Sequence, residues 1–115
     1  MAVDPARAEE TTAWLRKADE GLRAARVLID ARESLLESAI FRCQQAAEKA
    51  FKAFLVWHDV PFRRTHSLEE IGEQCLRVDA DLTELVDAAA PLGEYAYVAW
   101  RLEDRPGRPS ADRGA

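Results

Sequence analysis

From Leu35 to Val60 the chain contains neither glycine nor proline, and its apolar residues keep a helical rhythm throughout. Ile40, Cys43, Ala47, Ala50, Phe54 and Trp57 recur at alternating steps of three and four, the repeat that turns one face of an α-helix toward a core. Phe41, Phe51 and Leu55 make a neighbouring stripe, interrupted by Gln44 and Glu48. A helix that is apolar on two adjacent faces must touch more than one neighbour, so this segment is expected at the centre of a helical bundle. Ser34 with Glu37 has the form of a capping box for its start, and the Val60-Pro61 boundary ends it, because a residue preceding proline is pushed out of helical geometry.

The flanking segments supply the neighbours. A first helix can begin at Asp4-Pro5, an N-cap followed by proline at the first helical position, or at Thr11 or Thr12, and run to about Arg32. Trp14, Ala18, Leu22, Ala25 and Ile29, with Leu15 and Leu28 beside them, form a stripe wide enough to face a core. Asp59 to Thr65 reads as a connection. Ser67 with Glu70 caps a short third helix through Ile71, Cys75 and Leu76, and Asp81 with Glu84 repeats the device for a fourth. That last helix carries Leu82, Leu85, Val86, Ala89, Leu92, Ala96 and Ala99, and Pro91 within it predicts a kink or a division into two.

The fold class that follows is all-α, an antiparallel up-down bundle of four or five helices over residues 1–104. With 115 residues the chain has room for one core. Residues 105–115, RPGRPSADRGA, offer nothing larger than alanine or proline to bury and read as a flexible, mildly basic tail.

Charge and motif content narrow the function. A formal charge of -5 argues against binding nucleic acid through the overall field. No run of about 18 apolar residues is present to span a bilayer, and the N-terminus lacks a signal-peptide core, so a cytoplasmic protein without membrane association is expected. Cys43 and Cys75 form no CxxC pair and read as small buried hydrophobes. The two cysteines and His58 and His66 show none of the usual zinc spacings, and neither a glycine-rich phosphate loop nor a nucleophilic triad is legible. No catalytic residue, metal or cofactor is therefore assigned.

The candidate site is polar. Gln44 to Lys49, followed by Lys52, is the densest polar cluster in apolar surroundings. Gln45, Lys49 and Lys52 share one helical face and Gln44 and Glu48 the adjacent one; the set is either a recognition surface or a solvated face with ordinary helical pairs. His66 precedes the third helix, where free backbone amides and Arg63 and Arg64 favour an anion, or else it packs at the helix start. His58 is a cation near a helix C-terminus. Tyr95, Tyr97 and Trp100 with Arg101 give the fourth helix an aromatic end, suited either to packing on the first helix or to an interface.

Trp14-Leu15 and Ala18, the run Gln44-Gln45-Ala46-Ala47-Glu48-Lys49-Ala50-Phe51-Lys52-Ala53, and Thr65-His66-Ser67-Leu68 together resemble the prokaryotic HEPN domain family over about residues 10 to 102. The resemblance implies four or five helices, a dimer, and a role beside a minimal nucleotidyltransferase in a two-component or toxin-antitoxin system. On that reading Gln45, Glu48, Lys49, Lys52 and His66 shape a groove for a partner or a nucleotide. Arg101 corresponds to an arginine near the end of the last conserved helix, commonly in Arg-Tyr-Pro, although Leu102 and Glu103 follow it here. The catalytic HEPN ribonucleases resemble one another in an arginine, four to six residues, then histidine. Neither histidine fits, since His58 would need arginine at 51–53 and His66 at 59–61.

Three functions compete. The first is a non-catalytic, homodimeric binding module that partners a nucleotidyltransferase and binds nucleotide. The second is a metal-independent ribonuclease with a degenerate site, His66 with Arg63 or Arg64, in which a general base and cations suffice for attack by a ribose hydroxyl on phosphorus. The third is a purely structural dimerisation protein.

Overall fold

The computed structural model describes residues 4–33 and 35–103, with side chains described as far as Tyr95. Four helices follow in order: α1 (Pro5–Asp30), α2 (Leu36–Trp57), α3 (Leu68–Val78) and α4 (Thr83–Glu103), with a single 3-10 turn, Ala80–Leu82, leading into α4. No strand occurs among the described residues. The fold is an all-α bundle, elongated at 57 × 24 × 23 Å.

The α2 helix is central. It packs against α1 on one flank and against α3 and α4 on the other, whereas α1 makes no close contact with α3 or α4 among the described residues. The expected role of the end of α4, packing on the first helix or forming an interface, rests on Tyr97, Trp100 and Arg101, whose side chains lie outside the described residues.

The two flanks of α2 are built differently. Toward α1 it presents small residues: Ala39, Ala46 and Ala53, seven apart and all buried, while α1 buries Ala18 and Ala25. A Cβ on Gly21 of α1 would lie 3.4 Å from the Ala46 Cβ, so the two backbones approach closely at this level. Toward α3 and α4 the residues are large. Phe51 and Leu55 join Leu68, Ile71, Cys75 and Val86 in the main core, with Phe54, Val60, Phe62, Leu76 and Leu92 packed around it.

This division revises the apolar stripes expected from spacing. Ile40, Cys43, Ala47, Ala50 and Phe54 are only partly buried and Trp57 is exposed, while in the interrupted neighbouring stripe Phe51, Leu55, Gln44 and Glu48 are buried and Phe41 is exposed. On α1 the small members of the stripe are buried but Leu15, Leu22 and Ile29 are about half exposed. Small residues win the close interface because only they allow the helix axes to approach.

Helix ends follow local chemistry, with two corrections. Asp4 caps α1, accepting from the Ala6 N–H at 3.0 Å, with Pro5 at the first helical position. Ser67 caps α3, accepting from the Glu70 N–H at 3.3 Å. The α2 helix, however, has Leu35 at its N-cap with no side-chain bond, and Ser34 lies outside the described residues. Asp81 does not cap α4; the acceptor there is Asp79, which takes the Asp81 N–H at 3.0 Å and starts the 3-10 turn one step earlier. The α4 helix runs unbroken through Pro91 rather than dividing there. The tail 105–115 lies outside the described residues.

At its C-terminal end α2 closes in a Schellman arrangement. Val60 donates its N–H to Leu55 at 2.8 Å and Asp59 donates to Val56 at 3.0 Å, with Asp59 in the left-handed region at φ 59. Glycine is the usual residue at that position; aspartate tolerates it better than most.

Candidate functional site

The polar residues of α2 converge on the connection to α3. Gln44, Glu48 and Lys52 stand four apart on one face, and all three are buried. A buried charge persists only when it is paired and hydrogen-bonded. Here the pairing is internal: Glu48 Oε1 lies 3.5 Å from Lys52 Nζ and 3.1 Å from His66 Nδ1.

His66 is held from two sides. Its backbone carbonyl accepts from the Gln44 side-chain amide at 3.4 Å, and its ring meets Glu48. The imidazole itself is 92% exposed while the Glu48 side chain is 5% exposed, so a buried carboxylate orients a ring that faces solvent. Thr65 Oγ1 accepts from the Ser67 N–H at 3.0 Å, and Leu68 is buried. The Thr65-His66-Ser67-Leu68 motif therefore supplies, in order, a turn, a polar contact, a helix cap and a core anchor.

The connection is also clamped from α3. Gln74 accepts from the Arg63 N–H at 3.1 Å and donates to the Pro61 carbonyl at 3.1 Å. One side-chain amide thus satisfies both a donor and an acceptor of a segment that has no secondary structure of its own. Nothing in the spacing of Gln74 marked it beforehand, since only the folded loop brings Pro61 and Arg63 within its reach.

Lys52 points away from any open surface. Its ammonium lies 5.5 Å from the Trp14 ring centroid and 5.2 Å from that of Phe62. The two rings meet edge to face, with centroids 5.8 Å apart and planes at 86°. Cation–π attraction and the Glu48 carboxylate together compensate for the loss of water around the charge. Trp14, read from spacing as a member of the apolar stripe, is also one wall of this box. The Lys17 ammonium lies 5.7 Å from the centroid of the same ring.

Beside the ladder runs a groove of about 1210 Å³ between α2, the start of α3 and α4. Gln45, Glu48 and His66 line it, as does Gln44; Lys49 is partly buried and does not. Lys52 belongs to the aromatic box. The Arg101 side chain lies outside the described residues, as do those of Tyr97 and Trp100, while Tyr95 is exposed. The groove thus gathers Gln44, Gln45, Glu48 and His66; Lys52 joins that set through its ion pair with Glu48, and Lys49 lies outside the groove lining. A hollow of about 850 Å³ between the α1 N-terminus and Asp59–Phe62 contains none of these residues.

His58 packs its ring on Phe54, with centroids 4.4 Å apart, at the C-cap of α2. Both cysteines are free. Cys75 donates to the Phe51 carbonyl at 3.6 Å, and burial pushes its thiol up to about 11. Among the described residues, no group of three or more His, Cys, Asp or Glu is placed to hold a metal ion, and no helix is long and apolar enough to cross a membrane.

A model of the HEPN domain family matches residues 11–105. No curated protein and no solved structure matches the chain.

Proposed function

Because the chain belongs to the HEPN domain family, we propose that it is a non-catalytic binding module, homodimeric and cytoplasmic, that partners a minimal nucleotidyltransferase in a two-component or toxin-antitoxin pair. The observation that carries this reading is the groove between α2, α3 and α4, whose polar wall is already fixed by bonds within the chain. A wall held in this way loses little conformational entropy when a partner docks. The half-exposed Leu15, Leu22 and Ile29 on α1 leave apolar surface for a second copy on the opposite side of α2.

The partner supplies the chemistry on this reading, including the carboxylates that bind its metal. A nucleotide enters at the basic edge formed by Arg63 and Arg64, which are exposed next to His66 in sequence, rather than among the carboxylates of the groove. Co-expression with the adjacent reading frames, followed by size-exclusion chromatography with light scattering and mass identification, tests the proposal. A nucleotidyltransferase eluting with a dimer of this chain is expected; a monomer eluting alone overturns it.

A second reading, the metal-independent ribonuclease, is favoured by one observation. Glu48 orients His66 through Nδ1 and leaves the rest of an exposed ring facing solvent, the arrangement that suits a general base. RNA cleavage by the wild type that is lost in His66→Ala supports it. Absence of cleavage at high protein concentration removes it.

A further inference from the structure

The chemistry of the groove specifies what can lie in it. Its floor is apolar: Phe41 from α2, Leu68 and Leu76 from α3, and Val86 from α4. Around that floor stand Glu69 and Glu73 of α3 and Asp87 and Glu94 of α4, all exposed. Not one lysine or arginine lines it among the described residues. These four carboxylates make the described rim negative, and apolar walls weaken the screening of their field. Phosphates are disfavoured there and cations are favoured.

The floor holds a second, independent feature. Gln44 is 8% exposed and lines the groove, and its amide nitrogen is committed to the His66 carbonyl. The His66 carbonyl can only accept, which fixes the orientation of the amide and leaves the Gln44 Oε1 with no donor among the described residues. This acceptor is not closed off from solvent, so a ligand N–H entering the acidic groove can bond to it. Guanidinium fits best, since its planar fork can reach such an acceptor while its charge remains among the carboxylates.

At about 1210 Å³ the groove exceeds the roughly 300–1,000 Å³ of small-molecule sites and matches a peptide segment instead. We infer that it docks an amphipathic helical segment of a partner protein, one that lays apolar side chains on Phe41, Leu68, Leu76 and Val86, places an arginine at Gln44, and flanks it with further cations. This is recognition of a helix in a groove. It rests on the binding-module reading and names the segment by which the partner attaches. The chain's own residues 105–115 have three arginines but no side chain large enough to cover that floor.

The test uses the full chain and a synthetic fourteen-residue helical peptide with leucines at helical spacing, a central arginine and lysines elsewhere. In 15N-HSQC titrations it is expected to shift the amides of Leu68–Leu76 and Val86–Glu94. Affinity should fall at least tenfold in Glu73→Lys/Asp87→Lys and when norleucine replaces the central arginine. Both reversed positions are exposed, so an unchanged thermal midpoint shows the variant is folded. Shifts scattered over other surfaces, equal binding of a peptide with glutamates for its cations, or ATP moving the same amides would overturn the inference. So would a tenfold gain in peptide affinity on deleting 104–115, which would make the tail the occupant. If a nucleotidyltransferase co-elutes undiminished with Glu73→Lys/Asp87→Lys, the module stands and the groove assignment falls. If none co-elutes with the wild type while the peptide still maps to the groove, the nucleotidyltransferase reading falls and the groove's selectivity stands.

Discussion

Replacing Lys52 with methionine isolates the buried ladder that positions His66. At 3.5 Å the Lys52–Glu48 attraction is about 5 kcal/mol for an effective dielectric near 20. Desolvation of both charges offsets much of it, so the intact pair adds little net stability, but removing one partner exposes the whole cost of the other. Breaking such a pair typically costs about 3–5 kcal/mol. Loss of the ammonium between Trp14 and Phe62 adds about 1 kcal/mol, while the methionine side chain retains apolar contact with both rings. Glu48 keeps its bond to His66, which softens the result to a net loss of about 3 kcal/mol. In urea unfolding followed by circular dichroism, with a slope near 1.5 kcal/mol/M, that lowers the midpoint by about 2 M. The same substitution in a Glu48→Gln background should cost only about 1 kcal/mol, because no stranded carboxylate remains. Equal losses in the two backgrounds, or a wild-type loss below about 1 kcal/mol, would refute the view that the ladder is held by pairing.

Three other outcomes are expected. Gly72→Ala places a Cβ 2.8 Å from Val86 Cγ1 in a closed core and should destabilise by about 1–2 kcal/mol despite the better helix propensity of alanine; Val86→Ala in the same chain should recover part of the Gly72→Ala loss, as read from denaturation midpoints. Asp59→Gly removes the strain of φ 59 at the α2 C-terminus and should raise stability by about 1 kcal/mol, seen as a higher thermal midpoint. Cys75 should resist thiol reagents in the native state, and its folded value of about 11 against 9.0 sets the sign of a pH effect. Below pH 9 the thiol is protonated in both states and its contribution is intact; between pH 9 and 11 only the unfolded thiol ionises, so stability falls, by about 2–3 kcal/mol at the limit. The difference between wild type and Cys75→Ala across that pH range measures the effect.

The sequence by itself determined the elements and the family. Local rules are short-ranged, so Asp4-Pro5 and Ser67 could be read as helix starts, the glycine-free run from Leu35 to Val60 as the central helix, and the Gln44–Ala53 and Thr65–Leu68 motifs as a HEPN resemblance. Tertiary structure decided which faces those helices used. Spacing alone showed two adjacent stripes and read Gln44 and Glu48 as breaks in one of them, because a polar residue looks like an interruption until its partner is known. That partner, His66, is 18 residues beyond Glu48 and is brought to it only by the turn that Asp59, Gln74 and Phe62 hold in place. Lys52 likewise belongs to a box whose walls come from Trp14 and Phe62, on either side of it in the chain. The acidic groove has the same origin. Its exposed carboxylates, Glu69, Glu73, Asp87 and Glu94, come from two helices, and each alone is an ordinary solvated charge; only when α3 and α4 pack against α2 do they surround one apolar floor.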